Sequence, residues 1–373
     1  MLMEWGNVMI RIMRGEKQDV YADKKHNFAE WFNRETGAYV RSGVIKDGVD
    51  TGDDPFMRSY PALIDVGVMG HCIHGKSGLC VKSGVQCYQN GLGVIESNMS
   101  VMDYLSILRQ STGKVQQIAL GGRGDPNKHE QFGDILRMTR EYGIIPNYTT
   151  SGLGLTDEEV SLTKEMCGAA AVSWYRSPYT LAAINEFVAA GVTTNIHYVL
   201  GENSIDEAIE RLSNNDFPQG ISAVVFLLHK PVGLGQQANV LQPGSPELDK
   251  FFSIIDNWNG NFKIGFDSCS IPGIINYTSD INMDSIDTCE GARFSMYITP
   301  DMIATPCSFD QELRYGVSLR DHTIEEAWNS PEFDGFRDKL RHRCPGCAVR
   351  QNCMGGCPLK PEVVLCNRKE KTQ

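Results

Sequence analysis

Twelve cysteines punctuate this 373-residue chain, and their spacing is where chemistry can begin. Three occur as Cys72-x7-Cys80-x6-Cys87 in GHCIHGKSGLCVKSGVQCYQNG, one stands alone at Cys167, and eight lie between Cys269 and Cys366. Thiols scattered as core fillers would not gather in this way; gathering points to metal. Three thiolates on a Gly-rich, Pro-free loop can wrap a cubane iron–sulfur cluster and leave one iron open to chelate an amino and a carboxylate group. The competing chemistry is a zinc ion with His71 or His74 as fourth ligand, although the spacing is not that of a zinc finger. The tail reads Cys344-x2-Cys347-x5-Cys353-x3-Cys357-x8-Cys366, preceded by Cys289 and Cys307 in CEGARFSMYITPDMIATPC. Its C-x2-C pair alone fits structural zinc equally well.

Such ligands must be held by a scaffold. From residue 61 a strand–helix rhythm is readable, with strands expected at 63–70, 115–122, 144–150, 169–175, 193–200 and 221–228. The helices expected between them include HEQFGDILRMTREYG, TDEEVSLTKEMCG, SPYTLAAINEFVAAG and SIDEAIERLSNN, and SPELDKFFSIIDNW follows the last strand. Thr156 with Glu159, and Ser204 with Glu207, have capping-box spacing, and Gly143, Gly168 and Gly191 stand where helices should stop. Alternating strands and helices imply a parallel sheet with right-handed crossovers. Six such units favour an α/β fold of the partial, TIM-like (β/α)6 barrel type over a closed eight-stranded barrel. Residues 1–60 are expected to form an N-terminal extension of β-ribbon character, with alternation at Val8–Arg14 and Ala38–Ile45. Residues 61–264 form the barrel, and 265–373 a small cysteine-rich domain. The first cysteine loop then follows the first barrel strand, at the sheet edge where α/β folds build their sites.

A formal net charge of −11 argues against nucleic acid as partner. No apolar run is long enough to cross a bilayer, and the N-terminus lacks a signal-peptide core, so a cytoplasmic protein with reduced thiols and no membrane partner is expected.

With these residues in view, the chain resembles the radical S-adenosylmethionine (SAM) enzymes. Their usual signature after the first strand is C-x3-C-x2-C with an aromatic residue beside the last cysteine. Here Cys87-Tyr88 keeps that ending, while both gaps are wider by four residues. ALGGRGDP resembles the family's glycine turn, where Gly121 and Gly122 would meet the methionine ammonium of SAM. By the same resemblance Tyr88, Ser173, Arg176, Asn195, His197, Leu200 and Leu228 fall at strand ends that contact SAM, although a core-facing role for His197 is the plain alternative. The tail is similar to the SPASM domain, an auxiliary-cluster module. The resemblance implies one SAM-binding [4Fe–4S] cluster on Cys72, Cys80 and Cys87 and one auxiliary cluster on Cys344, Cys347, Cys353 and Cys366. It implies a second auxiliary cluster on Cys289, Cys307 and Cys357, for which the cysteine count offers Cys269. An open iron at that fourth position is the other possibility, and Cys167 remains as an ordinary buried thiol. Where the family has glycine before Cys307 this chain has Met302, so the special backbone role is expected to pass to Asp301.

The activity so implied is reductive cleavage of SAM to a 5′-deoxyadenosyl radical that takes hydrogen from a peptide or protein substrate. Its outcome would be a crosslink, a thioether or an epimerised residue, with flavodoxin or ferredoxin as reductant. An anaerobic sulfatase-type formylglycine maturase is the near alternative. A non-catalytic electron-transfer protein, or a zinc-stabilised binding module, are the readings from other classes. Tyr175, Tyr198, Asp267 and Asp310 are candidates for an acid or base by position.

Overall fold

A computed structural model describes residues 10–93 and 95–367. The N-terminal extension is a four-stranded antiparallel sheet of β1 (Ile10–Arg14), β2 (Gln18–Asp23), β3 (Phe28–Asn33) and β4 (Tyr39–Arg41), in that order. A two-strand hairpin follows, β5 (Ile45–Lys46) with β6 (Val49–Asp50). The first expected ribbon strand is β1, its residues Val8 and Met9 lying outside the described residues; the second breaks between β4 and β5. Strands β2 and β3 are hidden from a hydrophobic reading because their buried face carries acids. Asp19, Asp23 and Glu30 are each 1% exposed. Asp19 pairs with Arg34, Asp23 accepts from the Ser59 N–H and hydroxyl, and Glu30 forms an ion pair with Arg58 at 3.0 Å. Buried carboxylates survive only with such partners. The Arg58–Glu30 pair also ties this sheet to the barrel, since Arg58 donates to the carbonyls of Pro61 and Lys114.

The barrel strands run parallel in sequence order: β7 (Leu63–Met69), β8 (Gln117–Gly122), β9 (Ile145–Thr150), β10 (Ala170–Ser173), β11 (Thr194–Leu200), β12 (Ala223–Leu228) and β13 (Lys263–Phe266). Six match the expected strands. The seventh, β13, escapes pattern reading because it is short and starts at an exposed lysine. After β7 come α1 (Ile73–Ser77), α2 (Leu79–Lys82) and α3 (Val101–Ser111). The later crossovers are α4 (Phe132–Glu141), α5 (Asp157–Met166), α6 (Pro178–Ala189), α7 (Ile205–Ser213) and α8 (Pro246–Asp256). Their apolar faces bury Ile135, Ile184, Phe187, Ile209 and Phe251 against the sheet's outer face, where Ile118, Tyr148, Ile196, Tyr198 and Phe226 form the core.

Beyond β13 lies α9 (Ile271–Tyr277). The sheet then continues on the other side of β7 with β14 (Ser295–Ile298), parallel to β7, and antiparallel β15 (Ile303–Thr305) and β16 (Val317–Ser318). It ends at β13 and β16 and is not closed. Helices α10 (Ile324–Trp328), α11 (Pro331–His342) and α12 (Arg350–Cys353) follow. Among the described residues no helix is long and apolar enough to cross a membrane.

Local signals succeed and fail for identifiable reasons. The Thr156–Glu159 capping box forms at α5. The one expected at Ser204 does not: Ser204 Oγ bonds the Val199 and Gly201 carbonyls, and Glu207 turns outward to Arg176 and Arg211. Gly143 and Gly191 end helices in the left-handed conformation. Gly168 instead gives room, since a Cβ there would lie 2.7 Å from Ile145. Met302 itself, not Asp301, adopts positive φ (69°). Left-handed backbone costs a non-glycine residue about 1–2 kcal/mol, offset by burying the Met302 side chain to 2% exposure, a gain of about 1.5–3 kcal/mol. Asp301 accepts the Thr299 hydroxyl in the same turn.

Candidate iron–sulfur and substrate site

The first cysteine loop leaves the C-terminal end of β7. Cys72 caps α1 in extended backbone, Gly78 at φ 63° turns α1 into α2, and Cys80 is buried on α2. Cys87 follows after a further turn at Gly84. Cys72 and Cys80 each lie within electrostatic range of Cys87. Burial pushes the Cys72 thiol up to about 11, opposed by the Gly75 and His74 N–H groups and reinforced by Asp125 and Cys87. Burial also raises Cys80, with Cys87 adding to it. Such thiols stay protonated without a cation and lose their protons to a coordinated metal, which is the behaviour a ligand loop needs.

Close backbone packing holds the loop. A Cβ on Gly91 would lie 3.0 Å from that of Cys72, and one on Gly233 would strike the Tyr88 and Cys87 carbonyl oxygens at 2.3 and 2.7 Å. The Leu234 N–H donates to the Cys87 carbonyl at 2.9 Å. The segment after β12 is thus packed onto the cysteine loop. Both histidines of the zinc alternative have one ring nitrogen engaged elsewhere: His71 Nδ1 meets the Glu96 carbonyl at 3.2 Å, and His74 Nε2 meets Ser151 Oγ at 2.5 Å. Asp125 accepts from Ser151 and lies 3.5 Å from the same His74 nitrogen. Hydroxyl and carboxylate share one ring nitrogen in a buried setting, so this trio is an anchor and not a hydrolytic triad, which needs them on opposite nitrogens.

The eight C-terminal cysteines fall into two groups. The Cys269 thiol, just past β13, donates to Cys357, raising its own pKa and lowering that of Cys357. Cys289, pushed up to about 12 by burial, feels Cys269, and Cys307 feels both. Lys230 stands beside this group. Burial opposes its charge, but Asp267 at 2.7 Å, together with Cys269 and Cys357, outweighs burial and keeps it cationic. The second group surrounds Cys353, whose pKa is raised by burial and by Cys366, Cys344 and Cys347. Cys167 lies elsewhere, at the end of α5 near Arg140, its thiol pushed up to about 12 by burial. Among the described residues no three His, Cys, Asp or Glu side chains are drawn together tightly enough to hold a single metal ion. In an iron–sulfur cluster each thiolate binds its own iron, so its thiols converge at electrostatic range around a shared space.

The strand ends place the remaining residues on two faces. Asn195 and His197 point inward from β11, His197 Nδ1 lying 3.4 Å from Thr149 Oγ1 with its pKa lowered to about 4 by burial. Gly121 is open above β8, whereas Gly122 sits at φ 114° where a Cβ would strike the Met69 carbonyl oxygen at 2.4 Å. Ser173 bonds Tyr175, which lies in range of Asp125, Cys87 and Cys80. Tyr88 is half-buried and packs against Phe309 with the rings tilted by 32°, centroids 4.5 Å apart. Three of the expected residues face away. Leu200 and Leu228 belong to the core on the helix side, and Arg176 is paired with Glu207 on α7. Two acid–base candidates are also committed structurally: Tyr198 donates to the Ser204 carbonyl, and Asp310 accepts the Arg314 and Tyr315 N–H groups.

One interior carboxyl was not among the expectations. Asp65 lies on the inward face of β7 in register with Tyr297 of β14, and burial pushes its pKa up to about 7. Tyr297 reaches past it because Gly67 has no side chain; a Cβ there would lie 2.4 Å from the tyrosine oxygen. The signal available in LIDVGVMG was a lone acid inside an otherwise apolar strand.

The orphaned polar groups near the loop fit a further ligand. His74 Nδ1 and both amide atoms of Asn127 are buried without hydrogen-bond partners. Unpaired buried polar atoms are rare in proteins and call for an occupant.

Residues 289–354 match the model of SPASM, the iron–sulfur cluster-binding domain. The fold is similar to Streptococcus suis SuiB bound to its precursor peptide SuiA: TM-score 0.64, 12% identity, covering 93% of this chain and 97% of that one. SuiB bound to S-adenosylmethionine matches at TM-score 0.61 and 15% identity over 84% of this chain and 78% of that one. A third structure, native anSMEcpe with bound AdoMet, matches at 0.56 and 16% over 80% and 89%.

Proposed function

We propose that this chain, a partial barrel with a SPASM iron–sulfur cluster-binding domain, is a radical SAM enzyme that modifies a ribosomally made peptide. The observation that carries the reading is the placement of Cys72, Cys80 and Cys87 on the loop after β7, beside the Gly121–Gly122 turn, with two further thiol groups beyond β13. A [4Fe–4S] cluster on those three thiols, when bound, supplies the electron that splits SAM and so provides a hydrogen-abstracting 5′-deoxyadenosyl radical. Gly121 leaves room for close backbone approach of the methionine end, and Gly122 makes the turn that only glycine accommodates. Asn195 and His197 line the inner wall, where His197 is neutral and can accept or donate one hydrogen bond without charge. Cys269, Cys289, Cys307 and Cys357 would hold one auxiliary cluster, and Cys344, Cys347, Cys353 and Cys366 the other. Lys230 places a fixed positive charge beside the first of these.

SuiB has been captured with a precursor peptide bound, and its similarity extends over 93% of this chain, against 80% for anSMEcpe. That extent supports peptide maturation by crosslink, thioether or epimerisation over the sulfatase-type alternative. The test is anaerobic: reconstituted protein with SAM and dithionite should release 5′-deoxyadenosine, measured by chromatography and mass spectrometry. Replacing Cys72, Cys80 and Cys87 together by Ala should abolish that release. Release that survives the triple substitution would sink the assignment.

A further inference from the structure

The unclosed sheet ends at β13, and a cavity of about 650 Å³ lies against that strand. Its volume is within the roughly 300–1,000 Å³ of ordinary ligand sites. Consecutive residues of β13 and its end, Ile264 to Asp267, line it, so the cavity wraps the strand's edge and not one face. Because β13 pairs with β12 alone, that edge offers backbone N–H and C=O groups to an added strand.

The walls are apolar. Ile255 and Trp258 come from the end of α8 and the loop after it, and Ile281 and Ile286 from the segment leading to β14. All four are only half-buried, as is Ile264. Trp258 contributes its rings alone, because its N–H is spent on the Phe262 carbonyl at 2.9 Å. Apolar side chains left uncovered around one hollow mark an interaction site. Among the described residues, none of the lining side chains is a cysteine, and Gly121, Gly122, Asn195 and His197 are not in the lining. The cavity is therefore separate from the thiol groups and from the wall assigned to SAM.

Three carboxyls reach it, and two are already matched. Asp267 is held by Lys230 at 2.7 Å and by the Ser270 hydroxyl. Asp287 is held by Arg41 at 2.9 Å, and Arg293 pairs with Asp54. Glu290 makes no ion pair and no side-chain hydrogen bond with the described residues. An unmatched carboxylate in an apolar hollow selects a cation, and a cation so placed rejects a neutral or acidic competitor.

We propose that this cavity seats an extended segment of the substrate peptide, with an apolar side chain among the isoleucines and a neighbouring lysine or arginine against Glu290. The inference rests on the peptide-modifying reading and adds a residue preference to it. Glu290 is also in electrostatic range of Asp65 on the inward face of β7, so a peptide held there borders the barrel interior.

The probes are acetyl-Ser-Leu-Lys-Leu-Leu-Ser-amide and its counterpart with glutamine in place of lysine. Binding of each to the reconstituted enzyme is measured by titration calorimetry. The lysine peptide should bind at least about tenfold more tightly than the glutamine peptide. Glu290→Gln should abolish that preference while leaving the glutamine peptide within about twofold, and Ile281→Ser should weaken both peptides about fivefold. Iron content equal to that of the unmodified protein shows that a variant has folded. Equal binding of the two peptides by the unmodified enzyme, or binding of neither, would overturn the proposal without recourse to any variant. A lysine preference that survives in an iron-replete Glu290→Gln protein would overturn it as well. Failure of the unmodified enzyme to cleave SAM with dithionite would remove the radical SAM reading, while the peptide comparison would still decide the role of the cavity.

Discussion

Replacing Asp65 by Asn tests whether the barrel interior holds a carboxyl that keeps its proton near neutral pH. The folded pKa is about 7, against 3.8 for an ordinary aspartate, and the cause is burial. The sign follows from linkage. Below the ordinary value both folded and unfolded chains hold the proton, and Asp65 has no pH-dependent effect. Between the two values the unfolded chain ionises while the folded site does not, so stability falls as pH rises. Above about 7 the penalty is complete and amounts to about 4 kcal/mol. Asn escapes this ionisation penalty but still buries an amide, at about 1–3 kcal/mol. Asp65→Asn should therefore be no more stable than the unmodified protein at pH 5, should gain on it up to about pH 7 and should level off above that. Urea midpoints of the two reconstituted proteins, compared at each pH by tryptophan fluorescence, measure the difference. Tyr297, Tyr88 and Glu290 are in electrostatic range of Asp65 and are present in both proteins, so their own titrations largely cancel. Infrared spectra should show a protonated-carboxyl band that disappears in the variant. A midpoint difference that is flat with pH, with no such band, would refute the reasoning and mean that Asp65 is ionised in the folded barrel.

Iron analysis should give about twelve iron per chain after reconstitution and about eight after the triple Cys72, Cys80, Cys87 substitution, by cubane stoichiometry. Cys269→Ala should lower iron or alter an auxiliary-cluster spectrum, whereas Cys167→Ala should leave iron intact; equal losses would contradict the separation of Cys167 from the thiol groups. Gly122→Ala should weaken SAM binding at least tenfold, or unfold the strand end, because positive φ and a 2.4 Å approach to the Met69 carbonyl oxygen both oppose a methyl group; unchanged binding measured by equilibrium dialysis would show the turn is not a cradle. Arg58→Ala should destabilise by about 3–5 kcal/mol through the stranded Glu30 charge, read as a lowered melting temperature that Glu30→Gln partly restores.

Much of this protein is written locally. Parallel strands buried on one face are dense in Val, Ile and Leu, so β7 to β12 can be read from periodicity, and capping at Thr156 needs only residues three apart. Cysteine spacing likewise reports metal chemistry, because ligands to one cluster must be supplied in short loops or paired motifs. Where a pattern needs a distant partner, local reading stops. The carboxylates of β2 and β3 look like surface residues until Arg34, Ser59 and Arg58 arrive from elsewhere to satisfy them. Ser204 has the spacing of a cap but is claimed by β11, and Glu207 by Arg176. Leu200 and Leu228 stand at the right strand ends, yet the pleat turns them to the helices, since a side chain's face depends on register and not on its distance from the strand end. Asp65 owes its raised pKa to burial, and its register partner Tyr297 is brought beside it by the β7–β14 pairing, between residues more than two hundred positions apart, which no local signal encodes. The residues announce the chemistry; the pairing of distant strands around them decides which of them can reach it.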